Sequence, residues 1–259
     1  MILGAQLYTL RAFTKDLEAF EDTLKRLAEI GYTSIHLSGV SCEYTPEWIA
    51  EKCNKYGLTI ALTHVDFDRI VNETDTVIRE HEIMGCKYVG LGCFPNFYEM
   101  SEEDLMGYLA KLRPALEKLK AAGLGFMYHN HHVEFGRREK GHPILMDLIL
   151  DAMPADLFGL TLDMFWVQAG GADPVKFLRD HADRARFLHL KDMVFDIPER
   201  KAHYAPIGEG NMNYEDIVKA AREVGVLYGF VELDSTYGED PFACMERSYK
   251  FLSGRFGLK

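Results

Sequence analysis

The stretch Leu124-Gly125-Phe126-Met127-Tyr128-His129-Asn130-His131-His132-Val133-Glu134-Phe135 decides how the rest of the chain reads. Its first half is a short apolar run set off by Gly123, and its second half crowds three histidines and a carboxylate into eight residues, Tyr128–Phe135. A short apolar run bounded by turn residues fits a strand buried on both faces. Histidines and a carboxylate packed at its end add little to a core. Leu124–His131 therefore reads as a strand whose C-terminal end opens onto the lip of a site.

Working outward, the same pattern recurs on both sides. Upstream, strands are predicted at Ile2–Tyr8, Ser34–Leu37, Leu58–His64 and Tyr88–Gly92. Helices fall between them at Asp16–Ile30, Pro46–Tyr56, Glu73–Met84 and Ser101 to about Ala122. The first helix carries Leu17, Phe20, Leu24 and Leu27 on one face. Thr45 caps the second, with proline at its first position and Gly57 just past its end. Pro114 is expected to bend the longest helix. Downstream, the strands Phe158–Asp163, Arg186–Leu190 and Gly229–Leu233 alternate with helices at Pro143–Ala152, Pro174–Ala182, Tyr214–Val224 and Pro241–Phe251. Strand–helix alternation implies parallel strands joined by right-handed crossovers. Eight such units in 259 residues suit a closed (β/α)8 barrel better than an open doubly wound sheet. No linker or low-complexity segment divides residues 1–259, which read as one domain.

Composition narrows the function. Hydrophobic residues make up 47% and charged residues 27%, as in an ordinary globular protein. The 40 acidic against 29 basic residues give a formal charge of −11, which repels a nucleic-acid backbone. No apolar stretch approaches the roughly 20 residues of a membrane helix. Five cysteines without a CxxC pair, and no leader-like N-terminus, point to a cytoplasmic protein with reduced thiols. Neither a GxGxxG nor a GxxxxGK(S/T) motif is present, so a nucleotide cofactor has no support, and without GxSxG neither does a serine triad.

In a barrel of this kind the chemistry gathers at the C-terminal strand ends. The polar residues there are Gln6 and Tyr8, His36, His64, His129 and His131, Asp163 and Trp166, His189 and Lys191, and Glu232 and Asp234. Asp163, His189 and Glu232 each close an apolar strand, so each should point into the mouth. An imidazole between two carboxylates suits Mn²⁺, Zn²⁺, Fe²⁺ or Co²⁺. A cation would also compensate both buried charges at once.

Gln6–Arg11, Tyr128–His131, Leu162–Trp166, His189–Asp192, Gly208–Gly210 and Val231–Asp234 span nearly the whole chain. Together these six segments resemble the xylose isomerase-like barrels, the sugar isomerase and epimerase family that shares its fold with endonuclease IV. The resemblance implies one divalent ion, Mn²⁺ first and Zn²⁺, Co²⁺, Fe²⁺ or Mg²⁺ as alternatives, held by Glu, Asp, His and Glu at the ends of strands five to eight. Asp163, His189 and Glu232 match the last three. At the first position the chain reads His129-Asn130-His131 where the family often reads Glu-Asn-His. Either His129 replaces that ligand or Glu134 folds back to supply a carboxylate, and the flanking Val133 and Phe135 favour Glu134.

By the same resemblance Glu232 is one proton-transfer base, and its partner on the opposite face is Glu134, His129 or His131. Gln6, Tyr8, His64, His131, Trp166 and Lys191 are expected to contact substrate. His36 stands where many relatives carry glutamate. The implied activity is isomerisation or epimerisation of a ketose or keto-sugar beside a polarised carbonyl. Its alternative is elimination from a 3-keto-glycoside or keto-inositol by a lyase or dehydratase. An endonuclease IV-like phosphodiesterase and a non-catalytic sugar-binding barrel come behind both. The expected partner is a small sugar, with neither nucleic acid nor membrane. A homo-oligomer is compatible with the aromatic loop Phe94–Tyr98.

Overall fold

A computed structural model describes residues 1–259. Ten strands are formed: β1 (Ile2–Gln6), β2 (Ser34–Leu37), β3 (Thr59–His64), β4 (Tyr88–Leu91), β5 (Gly125–His129), β6 (Gly159–Asp163), β7 (Ala185–Leu190), β8 (Asp192–Asp196), β9 (Lys201–Ala205) and β10 (Tyr228–Val231). Eight of them close into a barrel in the order β1-β10-β7-β6-β5-β4-β3-β2, every neighbouring pair parallel. The ring closes at β1, where Gly4 lies opposite Phe230 on one side and Ser34 on the other. The fold is a (β/α)8 TIM barrel.

Ten helices cover it: α1 (Leu17–Ile30), α2 (Pro46–Tyr56), α3 (Phe67–Asn72), α4 (Thr74–Met84), α5 (Glu102–Ala121), α6 (Leu145–Ala152), α7 (Met164–Ala169), α8 (Pro174–Asp180), α9 (Tyr214–Val224) and α10 (Pro241–Phe256). Local chemistry sets their ends. Ser101 and Asp104 form a reciprocal capping box on α5, and Gly57, Gly85 and Gly225 end α2, α4 and α9 in the left-handed conformation. Pro114 lies inside α5 without ending it. No helix is long and apolar enough to cross a membrane.

Three local readings change. The first strand stops at Gln6, because the Gln6 side chain accepts the Tyr8 N–H and turns Leu7–Phe13 into a 3-10 helix. Asp163 caps α7 directly after β6, where the sequence pattern assigns no helix. No strand is predicted between Leu190 and Tyr214, yet this stretch forms the antiparallel β8–β9 hairpin, with Asp192 opposite Ala205 and Asp196 opposite Lys201.

The interior explains why the mouth is polar. Alternate residues of each strand point inward. Leu62, Met127, Phe187 and Phe230 form a buried plug with Tyr88 and Tyr228 packed against it. Gly4 leaves the space that the Phe230 ring fills, since a β-carbon there would lie 2.5 Å from it. Two residues further along the same strands stand His64, His129, His189 and Glu232. The pleat that builds the apolar plug therefore lays an ionisable layer on top of it.

Candidate active site at the barrel mouth

The ligand-capable atoms of His129, Asp163, His189 and Glu232 all lie within 4.8 Å of one another. All four residues are at most 4% exposed. Asp163 is fixed at both ends: its N–H donates to Asn130 Oδ1 at 2.9 Å, and its Oδ1 accepts the Trp166 N–H at 2.9 Å as the cap of α7. That leaves Oδ2 for the cluster, 3.2 Å from His129 Nε2 and 3.6 Å from His189 Nδ1. The other His129 nitrogen, Nδ1, lies 3.3 Å from the Gly92 carbonyl. His189 presents Nδ1 to Glu232 Oε2 at 2.8 Å and Nε2 to His36 Nδ1 at 2.9 Å.

Lys191 enters from the same face of β7, and its side chain is 1% exposed. It lies 3.1 Å from Asp163 Oδ2, 3.1 Å from Glu232 Oε2 and 2.8 Å from Asp234 Oδ1. Burial alone would lower its pKa, but the three carboxylates outweigh burial and hold it well above the ordinary lysine range. Burial likewise opposes ionisation of Asp163 and Glu232, and the Lys191 charge reverses that, so both titrate below the usual carboxylate range. Asp234 goes the other way, to about 6, through burial and the neighbouring Glu232 charge. Burial is also the first cause that keeps His36, His64 and His129 neutral, and it pushes His131 down to about 2. His189 is the exception, because Glu232 and Asp163 overcome its burial and raise it.

The donor set fits a divalent ion. His189 Nδ1 and Glu232 Oε2 are 2.8 Å apart but misaligned for a hydrogen bond; beyond this contact His189 Nδ1 has Asp163 Oδ2 at 3.6 Å and Glu232 Oε2 has the Lys191 ammonium at 3.1 Å. Two buried ligand atoms that converge without bonding to each other leave a place for a shared third partner. The carboxylates of Asp163, Glu232 and Asp234 against the Lys191 ammonium leave a formal charge of −2, which one divalent ion neutralises. Two imidazoles with two carboxylates suit Mn²⁺, Fe²⁺, Co²⁺ or Zn²⁺.

Glu134 is not brought to this cluster. It is 1% exposed in a 3-10 turn, where Oε1 accepts the Tyr128 hydroxyl at 2.5 Å and Oε2 accepts the His131 N–H at 2.8 Å. Its carboxylate is spent on fixing the loop, and the fourth place is taken by His129. Burial raises the Glu134 pKa despite these two donors.

The residues expected to meet substrate divide. His131 packs edge-on against His129, with ring centroids 4.6 Å apart, and lies 5.7 Å from the Trp166 ring. His64 packs against His36 at 4.2 Å and reaches Ser38 Oγ at 3.0 Å. His64 Nε2, His131 Nδ1 and Trp166 Nε1 are shielded and without partners, as groups that wait for a polar ligand would be. Gln6 and Tyr8 are drawn into the turn after β1, where Tyr8 lies under the Arg11 guanidinium at 4.0 Å. Lys191 makes the ion pairs described above.

Two residues without an assigned role emerge. His36 is fully buried and orients His189. Asp192 accepts four backbone N–H groups, from Met193 and Met212 on Oδ1 and from Gly208 and Gly210 on Oδ2. The inward position of His36, two residues after Ser34 on β2, was the available signal for the first; the second lies in the His189–Asp192 segment of the resemblance, which gives it no role of its own.

A family model described as xylose isomerase-like TIM barrel matches residues 24–252. An inosose dehydratase from Geobacillus kaustophilus (strain HTA426) is 24% identical over 204 residues, which is 69% of this chain and 64% of that protein. The chain thus spans somewhat less than two thirds of that curated relative. A sugar phosphate isomerase/epimerase from Parabacteroides distasonis ATCC 8503 superposes with a TM-score of 0.84 at 24% identity, covering 99% of this chain and 95% of its own. The IolI protein with a bound zinc atom superposes with a TM-score of 0.72 at 15% identity, covering 98% and 97%. At these identities the superpositions establish the fold.

Proposed function

Because the chain belongs to the xylose isomerase-like TIM barrel family, we propose that it is a divalent-metal-dependent isomerase or epimerase that moves a proton on the carbon beside the carbonyl of a ketose or other sugar-derived ketone. The observation that carries this reading is the convergence of His129, Asp163, His189 and Glu232 within 4.8 Å above an apolar plug. A bound divalent ion, Mn²⁺ in our reading, supplies Lewis-acid polarisation of the carbonyl and offsets the charge that develops on its oxygen.

The chain's own residues do the rest. Glu232 is ionised at neutral pH, so it accepts the carbon-bound proton. A carboxylate held that low is a weak base, which makes polarisation of the ketone a condition of its action. Lys191, 3.1 Å from Glu232 Oε2, holds the carboxylate in place and keeps it ionised. His64, His131 and Trp166 offer unpaired ring nitrogens to substrate hydroxyls, and the Trp166 ring gives an apolar wall. Glu232 suffices where the proton returns to the face it left; return on the opposite face needs His129 or His131 in its protonated form, and burial keeps both neutral.

One observation favours elimination as a second reading. The imidazole of His129 stands where the resemblance expects a second carboxylate, and Glu134 is tied to Tyr128 and His131. With a single carboxylate free to cycle a proton, removal of the proton by Glu232 with loss of a group from the next carbon, as in a dehydratase, needs no second carboxylate base.

Incubation of the Mn²⁺-loaded protein with candidate ketones in D₂O separates these readings. Deuterium entering beside the carbonyl without loss of water or of an aglycone is the expected result. Release of water or aglycone from a keto-inositol or 3-keto-glycoside selects elimination. Failure of both with ketones that bind would overturn the assignment.

A further inference from the structure

A TIM barrel that binds a phosphorylated substrate commonly holds the phosphate on backbone N–H groups in the loops after the seventh and eighth strands and on a helix N-terminus. In this chain those positions are filled by its own side chains. After β7, the amides of Gly208, Gly210, Met212 and Met193 converge on one point, as in an anion nest. The anion already there is the Asp192 carboxylate, 1% exposed, with N–H donors at 2.9, 3.1, 3.1 and 2.8 Å. Gly210 is required by this arrangement, because a β-carbon there would overlap Asp192 Oδ1. Tyr214 closes the nest's flank by donating its hydroxyl to the Lys191 carbonyl at 2.9 Å.

The helix ends are taken as well. Asn213 caps α9, whose first turn carries Glu215 and Asp216, and Asp240 caps α10. Asp163 caps α7. In the loop after β10, Asp234 is paired to Lys191.

Nor do the cations at the mouth offer a phosphate clamp. Lys191 is enclosed by three carboxylates. Arg11 donates to the Tyr8 and Asp234 carbonyls, and Arg138 to those of Tyr98 and Phe97. Four of the buried donors without a partner are ring nitrogens, His64 Nε2, His131 Nδ1, His132 Nδ1 and Trp166 Nε1; Arg138 Nε is also unpaired, on a guanidinium whose other two nitrogens are tied to the Tyr98 and Phe97 carbonyls. Neutral ring nitrogens beside an aromatic wall match hydroxyl groups, whereas a phosphate dianion would meet Asp234, Glu232 and Asp192, and the ammonium among them, Lys191, is already enclosed by carboxylates.

We propose that the substrate is an uncharged polyhydroxylated ketone, a free sugar, glycoside or cyclitol ketone without phosphate or carboxylate, and that Asp192 acts as a built-in anion closing the barrel's phosphate position. This rests on the carbonyl chemistry proposed above and names its substrate class.

Matched pairs test it: D-ribulose with D-ribulose 5-phosphate, and D-fructose with D-fructose 6-phosphate, together with 2-keto-myo-inositol. Binding to the Mn²⁺-loaded protein is read by ligand-observed NMR and carbon–hydrogen exchange by deuterium uptake. At least one uncharged ketone should bind, about 100-fold tighter than a phosphate ester of its pair. An ester that binds as tightly as its free sugar overturns the proposal, and so does failure of every uncharged ketone to bind. If an ester exchanges its proton, the carbonyl chemistry stands and the substrate class falls. If an uncharged ketone binds and never exchanges, the substrate class stands and the chemistry falls.

Inorganic phosphate followed by ³¹P NMR gives a second measurement that does not depend on turnover. The wild-type protein should show no saturable binding, and saturable broadening in the wild type counts against the proposal. Asp192→Ala empties the nest and should gain a phosphate site. If that variant does not fold, the wild-type titration and the matched pairs still decide.

Discussion

The ends of β6, β7 and β10 deliver their side chains straight from a strand, whereas most of the groups after β5 arrive through a turn. In the first region, direction follows from the pleat: Phe187 points inward, so His189 and Lys191 do too, and Phe230 carries Glu232 with it. In the second, His129 still obeys the pleat after Met127, but everything beyond it answers to local hydrogen bonds. Glu134 turns toward Tyr128 and the His131 N–H and away from the cluster. Two buried glutamates at one barrel mouth thus reach opposite ends, one free to act on a ligand and one locked into the frame that holds His131.

The largest effect should come from the strand-borne glutamate. Glu232→Gln keeps the shape and removes the base, so proton exchange should fall by about 10³-fold, within the range for losing a positioned general base. Its far-UV spectrum should be unchanged. Exchange within tenfold of wild type would move the base to another residue and dissolve the contrast with Glu134.

Next comes the identity of the fourth ligand. His129→Gln should weaken Mn²⁺ binding by at least the roughly 10–100-fold that follows loss of an outer metal partner. Glu134→Gln should leave Mn²⁺ affinity within about threefold of wild type, measured by competition with a chelator. If Glu134→Gln loses the metal and His129→Gln keeps it, the turn rearranges on loading and the two regions are less different than they look.

How far the mouth could be read in advance follows the same division. The barrel was legible because helices α1, α2, α4, α5, α9 and α10 stop at or next to a glycine and each strand is a short apolar run. Asp163, His189 and Glu232 were legible because each closes such a run. Glu134 was not, since its direction is set by a 3-10 turn whose bonds to Tyr128 and His131 leave no periodic trace. The inward position of His129 was present in the alternation from Met127, yet the neighbouring carboxylate drew attention from it. Asp192 could not be found by pattern, because its four partners are backbone amides up to 20 residues away along the chain. The hairpin β8–β9 was hidden by the turn-forming and charged residues between its strands.

A smaller effect separates structure from catalysis within the turn itself. In Glu134→Gln, one side-chain oxygen can still accept the Tyr128 hydroxyl or the His131 N–H, but the amide nitrogen then faces the other donor. One buried donor left without an acceptor costs about 1–3 kcal/mol. The melting temperature should fall by about 2–4 °C for each kcal/mol lost. A drop in exchange rate without any thermal shift would show that Glu134 touches the ligand after all.

The smallest effect is a slope in pH that comes mainly from the turn and the histidines it packs against. His36, His64, His129 and His131 are all depressed below 6.5 by burial, His131 to about 2. A depressed group gives stability that is full above its unfolded pKa and is lost as pH falls toward the folded value, because the unfolded chain then binds the extra proton. For His131 that window runs from 6.5 down to about 2. His189, raised by Glu232 and Asp163, has the opposite sign, and Asp234, raised to about 6, also gains stability as it protonates below that pH. The clean measurement is therefore a difference. Denaturant stability of the metal-free protein is compared with that of His131→Gln at pH 7 and pH 5. In this interval the other groups cancel and Asp163 and Glu232, both held low, stay ionised. Below pH 6.5 the wild type should lose up to about 1.4 kcal/mol per pH unit more than the variant. Equal slopes would mean that His131 takes up its proton in the folded protein, and that the β5 turn opens in acid while the strand-borne cluster holds.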